Sequence, residues 1–342
     1  MNKGLVSVVM AVHNEKERYL RTAFNSIFNQ TYRNIEIIIV DDASDFSCKS
    51  VINDICNDKN YVKIIHNETN IGLTKSLNRG ISVAEGEFVA RMDADDYSVR
   101  NRIEKQVAFL KENEIVDIVG TGVVSFGDKT MFISPAFGYS NEDAQCNLFF
   151  SSTLCHPSVM MRRSFLAKNH LTYDENVKKG QDYDMWERAS VLGNLAVMKE
   201  VLLYYRIHSA QITSTGSKDQ NKTADMVRLR RLKRIGIEPT EQEYRCHQLL
   251  ASGCDNDIHF TEIEKWVDKV ILHSEHIPYL NSKMLRRNLS ARLLLCKLRN
   301  PAYRKCIRLK DIPLLMNLTA TRFWMVAKLN LEKLKLGKLY DE

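Results

Sequence analysis

The segment Asp93-Ala94-Asp95-Asp96 places three carboxylates within four positions of this sequence. Like charges this close repel one another, so a cation among them would lower the energy of the cluster. Carboxylate oxygens suit hard divalent ions such as Mg²⁺ or Mn²⁺, and a site with few protein ligands completes its coordination with substrate phosphates. We therefore predict that Asp93 and Asp95 bind a metal or a ligand. For Asp96, the N-cap of a following helix is an equal alternative.

Two further groups of polar residues could bind parts of a nucleotide. Asp41 and Asp42 could accept a hydrogen bond from the imide of uracil or from a ribose hydroxyl, or they could form only an Asx turn. The segment 70–72 precedes a predicted helix and could turn backbone N–H groups toward a diphosphate, with Lys75 or Arg79 adding positive charge. Each of these signals is weak when taken alone.

The elements that would position these residues alternate between apolar strands and amphipathic helices. Four apolar runs have the length of a strand: residues 5–12, 35–40, 62–66 and 87–92. Helices with one apolar face are predicted at 19–28 and 73–83. The order β-α-β-α-β-α-β predicts a doubly wound, mostly parallel α/β sheet in roughly the first 100 residues. The polar residues above follow the carboxyl ends of its strands, where such sheets bind ligands.

Length and composition exclude several classes of protein. The chain has 342 residues, of which 44% are hydrophobic and 27% charged, so we expect a folded protein of about two domains. It contains no uncharged apolar run of about 18 residues, and we expect neither a signal peptide nor a membrane span. The G-x-G-x-x-G and P-loop motifs are absent, which argues against NAD and P-loop chemistry. Eight scattered cysteines without zinc or redox spacing indicate reduced thiols in a cytoplasm.

Charge divides the chain into two parts. Residues 1–215 contain 24 Lys and Arg against 27 Asp and Glu, whereas residues 216–342 contain 25 against 15. The net charges are therefore −3 and +10, and the second part is predicted to face an anionic partner. A linker of small residues at 213–217 separates the two parts. Beyond it the sequence is basic and helical, with helices predicted at 226–235 and 323–339.

In combination, these motifs resemble the successive signatures of family 2 glycosyltransferases with the GT-A fold. The resemblance covers roughly residues 5–215 and includes two motifs of the second half. The segments that carry it are Val6-Ser7-Val8-Val9-Met10, Asn14-Glu15, Val40-Asp41-Asp42-Ala43-Ser44, Asn70-Ile71-Gly72 with Asn78 and Gly80, Asp93-Ala94-Asp95-Asp96, Gln181-Asp182-Tyr183-Asp184-Met185-Trp186, and Tyr204-Tyr205-Arg206-Ile207-His208.

The resemblance implies a fold, an activity and a division into domains. The fold would be GT-A, a Rossmann-like, mostly parallel α/β sheet, followed by a helical basic C-terminal region at 216–342. The catalytic domain would span 1–215, with the nucleotide-sugar site in about 1–100 and the acceptor and catalytic half in about 101–215. The activity would be transfer of a sugar from a nucleotide-sugar, specifically a UDP-sugar, to a hydroxyl of a glycan acceptor with inversion at the anomeric carbon.

The resemblance also implies roles for individual residues. Asp95 would bind Mn²⁺ or Mg²⁺, with His208 as a second ligand or only a hydrogen-bonding residue. Asp182 would be the general base that takes the proton of the acceptor hydroxyl, and Asp184 is a competing candidate. The residues implied for nucleotide-sugar binding are Val12, Glu15, Asp42, Asn70, Gly72, Lys75, Asp93 and Ala94. Those implied for the acceptor are His156, Gln181 and Trp186.

Some of these roles have alternatives. Asp42 and Glu15 match family positions that line the nucleobase pocket. Gln181 stands where many members of the family have Glu. His156 could instead be a structural loop residue, and Trp186 could instead belong to the core.

The basic C-terminal region predicts a partner at a membrane. Cationic amphipathic helices suit an acceptor carried on a lipid diphosphate, so we expect a cytoplasmic protein, peripheral at the inner face of the membrane, in O-antigen or capsule assembly. Phe323 and Trp324 lie near several lysines in this region. One alternative is a nucleic-acid-binding protein with a nucleotide-sensing α/β module, although no nucleic-acid-binding signature accompanies the charge. Another is a helical module that packs against a partner subunit, such as a second copy of the chain.

Overall fold

The computed structural model describes residues 2–128, 130–134, 139–208, 217–252 and 258–308, together with isolated positions beyond 308. The chain divides into two compact units. The first comprises Met1–Tyr139 and Leu154–Thr223, and the second comprises Ser140–Thr153 and Ala224–Glu342. Residues 140–153, which the sequence assigned to the catalytic half, thus belong to the helical unit. The predicted linker lies almost wholly outside the described residues, as do Phe323 and Trp324.

One sheet of nine strands forms the centre of the described first unit. The strands are β1 Asn2–Val12, β2 Ile35–Asp41, β3 Val62–His66, β4 Gly86–Asp93, β5 Tyr97–Ser98, β6 Val116–Gly127, β7 Phe132–Ser134, β8 Met160–Arg162 and β9 Asn194–Ile207. Their order is β3-β2-β1-β4-β8-β6-β9-β5, with β7 paired to β6. The pairs β1–β2, β1–β4, β2–β3 and β6–β9 are parallel, whereas β8 and β5 are antiparallel to their neighbours. The predicted mostly parallel α/β sheet is confirmed.

The helices follow the predicted alternation and continue into the second unit. In chain order they are α1 Glu17–Phe28, α2 Phe46–Cys56, α3 Leu73–Ser82, α4 Arg102–Glu112, α5 Asn141–Asn147, α6 Arg163–Lys168, α7 Gln181–Ser190, α8 Ser217–Arg234, α9 Glu241–Ser252, α10 Phe260–Ser274 and α11 Ser282–Arg299. Short 3₁₀ helices lie at His156–Ser158 and Pro301–Cys306. The predicted helical C-terminal region is therefore present.

Burial explains why the central strands are apolar throughout. Val6, Val8 and Met10 of β1 are fully buried and belong to one core with Leu20 and Phe24 of α1. Because helices cover both faces of such a sheet, an alternating polar pattern is not required. This is why continuous apolar runs predicted the strands to within a few residues of their observed ends.

Strand register brings the polar residues at the carboxyl ends together. Val12 of β1 is paired with Asp41 of β2, and Asp41 is paired with His66 of β3. On the other side of β1, Ala11 is paired with Asp93 of β4. The loops that follow β1, β2, β3 and β4 therefore leave the sheet at one edge, as the ligand-binding edge of a parallel sheet requires.

The second unit is helical and has its own core. Buried residues of α8, α9, α10 and α11 pack together, including Leu232, Leu249, Trp266 and Leu289. Among the described helices, none is both long and apolar enough to cross a bilayer.

Candidate active site

Glu15, Asp95 and His208 converge at the sheet edge. Each offers one ligand atom, and these three atoms lie within 4.8 Å of one another. The Nε2 atom of His208 lies 3.1 Å from Oδ2 of Asp95. Burial raises the pKa of Asp95 and so does the nearby charge of Glu15, whereas His208 opposes both. Two carboxylates and an imidazole are donors that suit Mn²⁺ or Mg²⁺, so this group fits the implied cation.

The other two carboxylates of the acidic segment have partners within the protein. Nη2 of Arg91 forms an ion pair with Oδ1 of Asp93. The backbone N–H of Arg206 donates to Oδ1 of Asp96 at 2.9 Å, and its side-chain Nε donates to the carbonyl oxygen of Asp95 at 2.7 Å. Nearby arginines thus relieve part of the repulsion from which the sequence predicted a cation. Asp95 is grouped with Glu15 and His208, and Oδ2 of Asp96 is buried with no hydrogen-bond partner among the described residues.

The N-cap alternative for Asp96 is wrong. Helix α4 begins at Arg102 with Asn101 at its N-cap position, and Asp96 precedes the short strand β5 instead. The carboxylate of Asp96 is fully buried. Burial raises its pKa well above the usual value, and the charges of Asp95 and Asp93 raise it further.

Asp42 holds the loop that precedes α3. Its Oδ1 accepts hydrogen bonds from the side chain of Asn67 at 2.7 Å and from the backbone N–H of Ile71 at 2.8 Å. Its Oδ2 accepts from the backbone N–H of Gly72, also at 2.8 Å. The backbone N–H of Asp42 in turn donates to the carbonyl of Val12 at 2.8 Å. The carboxylate of Asp42 therefore positions the loop. It binds the N–H groups of Ile71 and Gly72, so the prediction that segment 70–72 turns backbone N–H groups toward a diphosphate is wrong for these two residues.

Asp41 stabilises the turn after β2, through a hydrogen bond that reaches three residues on and not two as in an Asx turn. Oδ1 of Asp41 accepts from the backbone N–H of Ser44 at 3.0 Å, and Oδ2 lies 2.9 Å from Nδ1 of His66. Burial acts to raise the pKa of Asp41, but the hydrogen bonds from Ser44 and His66 outweigh it, and the pKa lies below the usual value.

The remaining residues predicted for the nucleotide-sugar lie at the start of α3 and in the acidic segment. Lys75 is exposed, and Oδ1 of Asn70 accepts a hydrogen bond from Gly72 at 3.1 Å. Gly72 has φ of +87°, which favours glycine at this position. Ala94 is buried. Arg79 binds the side chain of Asn67 and the carbonyl of His66, so it supports the loop and is not directed to a diphosphate.

Helix α7 presents one carboxylate and buries another. Asp182 is half-buried in its first turn, where the helix dipole favours a negative charge. Asp184 is fully buried, and its Oδ2 binds Nε of Arg188 at 2.8 Å. Gly180, at the N-cap position of α7, has φ of +75°, a conformation that favours glycine. A Cβ at this position would lie 3.2 Å from the side chain of Thr223. Of the two candidate bases, Asp182 is the accessible one.

A buried tyrosine links α7 to the acidic segment. Burial raises the pKa of Tyr173, Arg91 opposes this, and the charges of Asp182 and Asp93 raise it further. Arg188 opposes the increase as well, and the ring of Tyr173 lies 6.5 Å from that of Trp186 of α7.

The residues predicted for the acceptor are mostly internal. Trp186 is fully buried, and its Nε1 donates to the carbonyl of Leu154 at 3.2 Å. The prediction that Trp186 binds the acceptor is therefore wrong, and its core alternative holds. His156 is buried with Nε2 2.8 Å from the hydroxyl of Tyr173, and burial together with Arg91 holds its pKa well below the usual value. Gln181 is also buried, at 7% exposure.

Sequence reasoning missed two features of the site. Glu15 was assigned to the nucleobase pocket, but its carboxylate lies beside Asp95 and His208. Arg91 received no role, although its position two residues before Asp93 on β4 places both side chains on one face of the strand. The spacing of two residues between Arg91 and Asp93 was the signal in the sequence from which their pairing could have been predicted.

Comparison with known proteins gives consistent results. A profile for "Glycosyl transferase family 2" matches residues 7–171. An uncharacterized glycosyltransferase of Haemophilus influenzae is 32% identical over 252 residues, covering 69% of this chain and 77% of that protein. The O-antigen biosynthesis glycosyltransferase WbnJ of Escherichia coli is 31% identical over 212 residues, covering 60% of this chain and 80% of that protein.

A solved structure gives a match to the fold. The crystal structure of S. aureus TarS 1-349 in complex with UDP has a TM-score of 0.57 and 18% identity, covering 89% of this chain and 92% of that chain. The chain belongs to glycosyltransferase family 2 and is a glycosyltransferase with the GT-A fold.

Proposed function

We propose that this glycosyltransferase is metal-dependent and inverting, and that it transfers a sugar from a UDP-sugar to a hydroxyl of a glycan acceptor. The observation that carries the proposal is the placement of Asp182. It is half-buried in the first turn of α7, whereas Asp184 is fully buried. One accessible base is what a single displacement requires.

Bond breaking releases a nucleoside diphosphate, whose negative charge must be stabilised as it forms. Glu15, Asp95 and His208 would hold Mn²⁺ or Mg²⁺, which supplies positive charge to that leaving group when bound. Asp42 fixes the loop before α3 by accepting hydrogen bonds from the backbone N–H groups of Ile71 and Gly72, so these two groups do not bind the diphosphate.

Asp182 performs the proton transfer in this proposal. Its carboxylate accepts the proton of the acceptor hydroxyl while that oxygen forms a bond to the anomeric carbon. The bond from the anomeric carbon to the diphosphate oxygen breaks on the opposite face, and the electron pair leaves with the nucleotide. An α-linked donor therefore yields a β-linked product.

The donor and acceptor classes have separate support. A UDP-sugar donor is supported by the TarS structure named above, which contains UDP. A surface-polysaccharide acceptor is supported by the relative named for O-antigen biosynthesis. The net charge of +10 over residues 216–342 supports an acceptor presented on lipid at an anionic membrane.

The test is donor hydrolysis and sugar transfer. In Mn²⁺, the protein should release UDP from at least one UDP-sugar and act more slowly on GDP-sugars. Asp182→Asn should bind UDP as the wild type does and lose about 10²- to 10⁴-fold in transfer. Asp184→Asn, checked for folding by thermal melting, is the matched variant and should lose far less. Equal losses in the two variants, or an α-linked product from an α-linked donor, would contradict the mechanism.

A further inference from the structure

The segment that leads into α7 has no regular structure of its own. Residues 171–180, all of which the structure describes, include no helix or strand. Gly180 at the end of the segment is the N-cap residue of α7, and Asp182 lies in the first turn of that helix. Because no ladder of backbone hydrogen bonds fixes such a segment, side chains must hold it. The position of Asp182 therefore depends on the contacts of segment 171–180.

Asn78 of α3 binds this segment at Tyr173. Oδ1 of Asn78 accepts a hydrogen bond from the backbone N–H of Tyr173 at 3.0 Å, and Nδ2 donates to the carbonyl of the same residue at 2.9 Å. Nδ2 also lies 3.2 Å from Oε1 of Glu175. A carboxamide can bind both backbone groups of one residue, whereas an aliphatic side chain or a carboxylate cannot. The start of α3 is in turn held by the carboxylate of Asp42.

Helix α7 binds the neighbouring residue of the segment. Nη2 of Arg188 donates to the carbonyl of Thr172 at 2.7 Å, and Nε of Arg188 donates to Oδ2 of the buried Asp184 at 2.8 Å. Thr172 and Tyr173 are consecutive, so α7 holds one of them and α3 holds the other. The two helices are therefore joined through two adjacent residues of segment 171–180.

Two hydroxyl groups add single hydrogen bonds to the segment. Oγ1 of Thr74 donates to the carbonyl of Val177 at 3.3 Å, and Oγ1 of Thr223 donates to the carbonyl of Lys179 at 2.7 Å. Thr74 and Asn78 lie four residues apart and share one face of α3. Each hydroxyl binds one carbonyl, whereas Asn78 binds both backbone groups of one residue. Asn78 is therefore the main contact from α3 to the segment.

We propose that Asn78 is a positioning residue for Asp182. By holding Tyr173 it fixes the path of the chain into α7, and with it the distance from the carboxylate of Asp182 to the acceptor hydroxyl. A base must lie within hydrogen-bond reach of the proton it accepts, and a displacement of about 1 Å can cost about 100-fold in rate. The inference rests on the proposed function, because it takes Asp182 as the base. Asn78 itself needs no contact with the substrate.

Steady-state hydrolysis of UDP-sugars with Mn²⁺ tests this role, because water then takes the place of the acceptor hydroxyl. Asn78→Leu keeps the size of the side chain and removes its hydrogen bonds. It should lower kcat by about 10- to 100-fold. The KM for the UDP-sugar and the Kd for UDP, measured by calorimetry, should stay within about twofold of the wild type, since only the reacting geometry changes. Asn53→Leu makes the same change at an exposed position of α2 and should alter none of these values.

Three further measurements separate positioning from general stability. Ile52→Val, at a fully buried position of the same unit, should lower the melting temperature and leave kcat unchanged. Asn78→Leu combined with Asp182→Asn should lose no more than Asp182→Asn alone, because Asn78 acts through Asp182. Hydrogen exchange of residues 171–180, followed by mass spectrometry, should be faster in Asn78→Leu, since the N–H of Tyr173 loses its acceptor.

If Asn78→Leu does not fold, Thr74→Val replaces it and should lower kcat by about threefold or more, the effect of losing one hydrogen bond. Unchanged kcat in the folded variant, a loss of UDP binding as large as the loss of kcat, or multiplied losses in the double variant would overturn the positioning role and leave the proposed function intact. Failure of the wild type to hydrolyse any UDP-sugar, or full hydrolysis by Asp182→Asn, would overturn the proposed function and this inference with it.

Discussion

The acidic segment contains carboxylates of one chemical type in three different environments. Asp93 is paired with Arg91, and Asp96 is buried against the backbone of Arg206. Asp95 shares its surroundings with Glu15 and His208. Because Asp95 and Glu15 offer ligand atoms together with His208, cation binding should depend chiefly on these two carboxylates.

Mn²⁺ titration followed by electron paramagnetic resonance checks this assignment. Asp95→Asn and Glu15→Gln should each weaken Mn²⁺ binding by more than about tenfold, since loss even of an outer-shell partner costs about 10- to 100-fold. Glu68→Gln makes the same chemical change at an exposed position and should leave binding unchanged. Full activity of the wild type in excess chelator, or unchanged Mn²⁺ binding by Asp95→Asn, would contradict the assignment.

The sequence could place Asp95 and His208 at one site but could not place Glu15 with them. The resemblance supplies motif positions, whereas the direction of a side chain in a loop depends on the local backbone. Asn14, directly before Glu15, has φ of +50°, an uncommon conformation for a residue other than glycine. No periodicity in the sequence predicts such a turn. For Trp186, exposure depends on packing against segments far along the chain, including Leu154.

At the scale of elements, α4 and β4 are joined by a buried polar network directly behind the acidic segment. Nη2 of Arg102 donates to the carbonyl of Arg91 at 2.7 Å, and Nε donates to Oε1 of Gln106 at 3.0 Å. Nε2 of Gln106 donates to the carbonyl of Ser158 at 2.9 Å. The network fixes the strand that ends at the candidate site.

Removing Arg102 should therefore destabilise the protein strongly. Arg102→Leu leaves the carbonyl of Arg91 and the amide oxygen of Gln106 without these donors, and we expect a loss of about 3–5 kcal/mol in the free energy of unfolding. Urea denaturation measures it. Arg100→Leu, two residues earlier and exposed, should change stability by less than about 0.5 kcal/mol. Similar stability of the two variants would show that the network contributes little.

The strands also show which parts of the fold could be predicted from the sequence and which could not. Strands β1 to β4 were predicted to within a few residues because continuous apolar runs are local signals. The insertion of β8 between β4 and β6 was not predicted, since three residues, Met160–Arg162, carry too little pattern to distinguish a strand from a loop. Its place is decided by pairing with distant strands.

At the scale of the whole molecule, the net charge of +10 over residues 216–342 directs attention to the exposed surface of the second unit. The second unit buries an apolar core, yet two large apolar side chains of α8, Met226 and Leu229, are 42% and 40% exposed. They are three residues apart, and Lys233 follows four residues after Leu229, so the three share one face of the helix. Lys233 pairs with Glu238 at 3.6 Å, as Lys335 in the tail pairs with Glu332, and Lys338 lies outside the described residues. The two exposed apolar side chains make the α8 face the candidate for a membrane surface.

Sedimentation with vesicles of phosphatidylglycerol tests that candidate. Lys233→Glu reverses one charge on this face, and each Lys near an anionic surface contributes about 1 kcal/mol, so binding should weaken by at least about fivefold at low salt. Leu229→Ser should weaken binding at any salt concentration, because it removes apolar surface. Lys63→Glu, an exposed position on β3, makes the same charge change in the first unit and should have little effect. UDP-sugar hydrolysis in solution should be unchanged in all three. If the wild type does not bind these vesicles, or if Lys63→Glu and Lys233→Glu lose binding equally, the α8 face does not bind an anionic membrane through its basic charge.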